Sequence, residues 1–127
     1  MGHRSIYCLV LGALLLSTGA LAMAGEADVV AVVVKPDGAP GSFRFDVTVS
    51  HEDAGWDHYV DQWEVLSGED EVLATRVLAH PHVDEQPFTR SLSGVSLPAQ
   101  IREVTIRARD SVHGYGGKEM SVLLPGG

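Results

Sequence analysis

Apolar and polar residues alternate along this chain in short runs, with a period of two. Residues 43–51 show it best. Phe43, Phe45, Val47 and Val49 point one way and Arg44, Asp46, Thr48 and Ser50 the other, so a half-buried strand is predicted with His51 at its core-facing end. Ahead of it, the β-branched run 29–34 is stopped by Lys35-Pro36-Asp37-Gly38, which marks a first strand closed by a turn. Tyr59, Asp61, Trp63 and Val65 share one parity in a third strand over 59–66, with Trp63 in the core and Asp61 toward the solvent end. A fourth strand over 71–79 is apolar on both faces, and Phe88 opens a short fifth over 88–92. Val104, Ile106 and Ala108 alternate with Thr105, Arg107 and Arg109 in a sixth over 103–110, and a seventh covers 118–124. The breaks are Ser67-Gly68-Glu69-Asp70, a loop holding Pro81 and Pro87, the Ser-, Gly- and Pro-rich 93–100, and the glycine-rich 113–117. No stretch keeps a helical period.

The residues ahead of the first strand have a different character. Arg4 supplies a positive start, 6–16 is an apolar run, and Ala20-Leu21-Ala22 or Ala22-Met23-Ala24 offers a small-x-small cleavage site. Residues 1–24 therefore read as a secretory signal peptide and 25–127 as a single β-sandwich domain, periplasmic or secreted. The lone cysteine, Cys8, lies inside the apolar run and away from the cleavage site, so it does not read as a lipidation cysteine. A cysteine-free mature domain must hold itself together by burying apolar area, and thiol chemistry and type 1 copper sites are excluded. The formal net charge of −8 repels phosphate backbones and anionic lipids. Nucleic-acid binding and membrane anchoring after cleavage are thus disfavoured, while cations are favoured.

Seven short strands separated by turn signals describe an all-β antiparallel sandwich. The stretch Ser91-Leu92-Ser93-Gly94-Val95-Ser96-Leu97-Pro98, followed by Val104-Thr105-Ile106-Arg107-Ala108-Arg109-Asp110-Ser111 and a glycine-rich loop, resembles the second half of a fibronectin type III or related immunoglobulin-like domain. The resemblance implies a single seven-stranded immunoglobulin/fibronectin-III-like sandwich, although Ile101 or Arg102 stands where such domains place a tyrosine corner. The segment 80–90, His-Pro-His-x-x-Glu-Gln-Pro-Phe-Thr-Arg, also resembles small exported bacterial proteins of unassigned function.

In a sandwich of successive antiparallel strands every second connection falls at the same end. The connections after strands two, four and six carry His51 and His58, His80 and His82, and His113, so all five histidines outside the leader are expected at one pole. Imidazole is a common ligand of copper and zinc, and converging loops can supply several. The expected ligands are His51, His58, His80, His82 and His113. Asp57, Asp61, Asp84 and Glu85 would serve as oxygen ligands or as acceptors that orient the rings.

The resulting expectation is an exported, non-enzymatic protein that binds copper or zinc. The competing one is a recognition module in which Trp56, Tyr59 and Tyr115, set among carboxylates, contact another exported protein or a glycan. A histidine brace is disfavoured because cleavage yields Gly25 or Met23 rather than histidine at the new N-terminus. Ser111 near His113 lacks a nucleophile elbow, so hydrolysis is disfavoured too.

Overall fold

The computed structural model describes residues 25–126; the expected leader, with Cys8, lies outside them. Seven strands run in order: β1 (Asp28–Pro36), β2 (Ser42–Ser50), β3 (Val60–Leu66), β4 (Val72–Val77), β5 (Phe88–Ser96), β6 (Glu103–Asp110) and β7 (Met120–Leu123). They form two antiparallel sheets, β1-β2-β5 and β4-β3-β6-β7, and the described residues contain no helix. The all-β sandwich expected from the period-two pattern is therefore the observed architecture.

The parity of β2 holds. Phe45, Val47 and Val49 are fully enclosed between the sheets and face Trp63 and Val65 of β3 and Val104, Ile106 and Ala108 of β6. One departure lies at the start of β3. A bulge opposite β6, between Val60 and Gln62, shifts the pleat so that Val60 is enclosed while Tyr59 and Asp61 are half-buried. An extra residue in one strand reverses which side chains face inward, and alternation alone does not reveal it.

Strand ends differ by up to four residues from those expected, most at β5. β5 runs on to Ser96, through residues expected in a loop, because β2 shifts register between Phe43 and Phe45 and still pairs Phe43 with Val95. β4 is an edge strand whose Val72 and Val77 stand in solvent while Leu73 and Ala74 pack on the core. Its lack of a clear inner face results from that edge position.

The connections after β2, β4 and β6 gather at one pole, where the segment leading into β1 joins them. Gln86 ties two of these loops, accepting from the amide of His51 (2.9 Å) and donating to the carbonyl of His82 (2.9 Å).

Candidate metal centre

Two strand ends create the centre. His51 succeeds β2 on the inward parity of Phe45, Val47 and Val49, and Asp110 ends β6 on the inward parity of Val104, Ile106 and Ala108. The two side chains meet across the mouth of the sandwich, His51 Nε2 lying 2.5 Å from Asp110 Oδ2 with both side chains fully enclosed.

Asp110 is held by its own turn. Its Oδ1 accepts the backbone N–H groups of Val112 (2.6 Å) and His113 (2.9 Å), and its main chain pairs with Gly114, whose φ of 72° closes the turn. Burial alone would raise this carboxyl, but those two amides and the imidazoles of His58 and His51 bring it down to about 2. Asp110 is therefore an anion that presents Oδ2 to the histidines.

The second carboxylate, Asp53, orients His51. An ionised Asp only accepts, so His51 Nδ1 carries the hydrogen of the 2.6 Å bond to Asp53 Oδ1, and Nε2 is the nitrogen turned to the site. The Oδ2 of Asp53 accepts the amide of His82 at 2.7 Å, and its enclosed side chain thus joins the first and second histidine loops. Burial opposes the charged form of His51, yet the hydrogen bonds to Asp53, the Gly25 carbonyl and Asp110 outweigh it, and the imidazole is raised above its ordinary value.

His58 and His113 complete the cluster. His58 Nε2 lies 2.6 Å from Asp110 Oδ2 and His113 Nδ1 lies 3.5 Å from it. The three rings stand edge-on to one another, His51 to His58 at 4.9 Å and His58 to His113 at 5.0 Å between centroids. The backbone carbonyl of Gly25 lies 3.1, 3.2 and 2.8 Å from the same nitrogens of His51, His58 and His113. Each of these nitrogens carries at most one hydrogen, so they cannot donate to both oxygens throughout. The ligand atoms of His51, His58 and Asp110 all lie within 4.8 Å of one another, close enough to hold one ion. A cleft of about 210 Å³ bordered by Gly25, His51 and Gln86 opens beside them.

His80 and His82 stay outside this cluster. His82 is enclosed, stacks flat on Phe88 (4.0 Å, 9°), and neither of its ring nitrogens has a partner among the described residues. Its Nδ1 is 4.0 Å from Asp53, on the opposite carboxylate oxygen from His51. Burial, then the charges of Arg90 and His80, push its imidazole down, so it behaves as an uncharged ring. His80 is exposed, packs on His82 at 4.8 Å and donates to the Pro81 carbonyl.

The expected acidic partners are spread out. Asp57 and Asp84 are exposed, Glu85 pairs with Arg90 (2.9 Å) and Asp61 with Arg109. The acids that do face the histidines, Asp53 and Asp110, were absent from the expected set. Asp110 carries a readable signal, since it continues the core-facing parity of β6 just as His51 continues that of β2. Asp53 carries the same signal one step further on, since it continues the inward parity of Val49 and His51 beyond the end of β2.

The aromatic residues are also separated. Trp56 is exposed and meets Tyr59 edge-on at 5.6 Å, while Tyr115 lies under the Arg107 guanidinium (3.8 Å) and accepts from Gln62. Ser111 Oγ accepts the amide of Tyr59.

Against known proteins, no family model matches the chain and no solved structure does. It is 39% identical over 97 residues to a protein of Halomicrobium mukohataei described as "Putative lipoprotein", a match covering 76% of this chain and 47% of that protein. The chain thus spans about half the length of that curated relative.

Proposed function

We propose that this is an exported protein that binds a divalent transition metal, copper or zinc, through His51, His58, His113 and Asp110. The observation that carries the reading is the convergence of two imidazole nitrogens on one enclosed carboxylate oxygen, with the ligand atoms of all three residues within 4.8 Å. Imidazole nitrogens with a carboxylate and no sulfur suit copper(II) and zinc.

Charge balance supports it. Asp53 and Asp110 place two negative charges where their side chains have no exposure, and a divalent cation among neutral imidazoles neutralises both. The Asp53–His51 pair is the carboxylate–histidine arrangement that fixes a ligand's tautomer. His82 enters through Asp53, which accepts its amide, and His80 packs on His82, so both stand behind His51 rather than around the ion. Export is supported by the apolar start of the chain and by the description of the relative as a lipoprotein. The closer likeness to fibronectin type III or immunoglobulin-like domains belongs to this proposal as well, resting on the partition of three strands against four.

A second reading is favoured by one observation: Trp56 is 66% exposed at this same pole. An exposed indole beside an acidic rim suits a protein or glycan partner.

Metal analysis of the protein after export, then titration with Zn(II) and Cu(II), tests the main reading. A single equivalent is expected to bind, with loss of binding in His58→Ala and Asp110→Ala. Retention of no metal at micromolar concentrations would reject it.

A further inference from the structure

We propose that the backbone carbonyl oxygen of Gly25 is itself a ligand of the metal, so that the segment 25–29 and the ion hold each other in place. This rests on the metal reading above and adds a ligand that no side-chain pattern reveals.

The carbonyl sits where a ligand should. It lies 2.8 Å from His113 Nδ1, 3.1 Å from His51 Nε2 and 3.2 Å from His58 Nε2. A carbonyl oxygen has two lone pairs, and two of these nitrogens already face Asp110 Oδ2 more closely, at 2.5 and 2.6 Å. As hydrogen bonds the approaches to Gly25 are therefore in excess. As the edges of a coordination shell of three nitrogens and two oxygens they all have a purpose.

The backbone is shaped for this approach. Gly25 has a φ of 113°, and a Cβ there would sit 2.8 Å from Cε1 of His113, so any other residue must strain the backbone and push that ring aside to keep the carbonyl here. Residues 26–29 are fastened to the loop that carries His113. The amide of Val29 donates to the Lys118 carbonyl (2.8 Å), and the amide of Lys118 donates to Asp28 Oδ1 (2.7 Å). Ala27 is buried, and its carbonyl presses on Gly117 so closely that a Cβ there would be 1.8 Å from the oxygen. Segment and loop close over the histidines as one unit.

Coupling between the two is reciprocal: whatever the segment adds to metal affinity, the metal adds to its docking. The test uses the full chain with Gly25→Ala. Gly38→Ala is the control, because its φ of 81° carries similar strain with nothing within 4 Å of the added Cβ. Affinities for Zn(II) and Cu(II) come from competition with a chromophoric chelator. Gly25→Ala is expected to bind at least about tenfold more weakly and Gly38→Ala like the native protein. With glycine labelled at the carbonyl carbon, the Cu(II) form should show a carbon hyperfine coupling that Gly25→Ala lacks, and metal should slow hydrogen exchange over residues 26–29. Native affinity in Gly25→Ala, or a Cu(II) spectrum without that coupling, would overturn the assignment while leaving the histidine site standing. A native protein that binds neither metal would remove both.

Discussion

Replacing Asp53 by Asn removes a charge and an acceptor from a place where both are in use. Asp53 Oδ1 accepts from His51 Nδ1 at 2.6 Å and its Oδ2 from the amide of His82 at 2.7 Å, all within a side chain of no exposure. Asn offers one oxygen, so its NH₂ must face one of these two partners. If the oxygen stays on the His82 amide, the NH₂ faces His51 and stabilises the tautomer with hydrogen on Nε2, which has no lone pair for a metal. If the amide flips, the His82 N–H is left buried without an acceptor. An enclosed donor without a partner costs about 1–3 kcal/mol. Taking about 2 kcal/mol, a domain of this size should melt roughly 10 °C lower. Loss of the group that orients a ligand should weaken metal binding about 10–100-fold. Thermal melts in chelator and chelator-competition titrations, run on native and Asp53→Asn protein, measure the two effects separately. A variant that melts within about 2 °C of native and binds metal as tightly would refute the role of Asp53 in orienting His51.

Asp110 sets an acid limit. Its folded carboxyl is held at about 2, below the ordinary value, so its stabilisation is complete above about pH 4 and is lost as pH falls toward 2; about 2 kcal/mol of urea stability should disappear there. Asp110→Asn should be less stable at pH 5 and lack that limb, and an unchanged acid limb would contradict the assignment. His51 acts in the opposite sense. Its raised value means that its stabilisation is present below about pH 6.5 and is lost as pH rises through the folded value, so metal-free protein should melt lower at pH 8.5 than at pH 6, whereas metal affinity should rise over the same interval. Equal melting at both pH values in chelator would count against it. The two tryptophans should separate cleanly: Trp63→Ala, in the enclosed core, should cost about 3–5 kcal/mol, and Trp56→Ala, in solvent, no more than about 0.5 kcal/mol, by urea denaturation. A large loss at Trp56 would mean that its ring packs on the domain.

The strands were legible because their signal is local. In β2, Phe45, Val47 and Val49 point inward for the same steric reason in any extended chain, and counting onward places His51 at the mouth of the core. The same count along β6 reaches Asp110, and the ordering of reversals brings five histidines to one pole. Where the count passes an inserted residue it fails, as at the bulge that encloses Val60 in place of Tyr59.

The composition of the site was decided elsewhere. Nothing in the spacing of His80 and His82 separates them from His51, His58 and His113, yet packing against Phe88 takes His82 away as an apolar ring. Asp53 continues the inward parity of β2 past His51, but the partners that hold it, His51 and the His82 amide, lie on two different loops that only the fold brings together. The order of residues suffices for the presence of seven strands, the inward faces of β2 and β6 and the pole at which the histidines gather, since those derive from the steric alternation of the extended chain and the burial of apolar area. Which histidines stand together and how near Gly25 approaches are settled by the packed molecule alone. Such contacts depend on loop positions within a few ångströms, set by packing and hydrogen bonds between residues far apart in the chain.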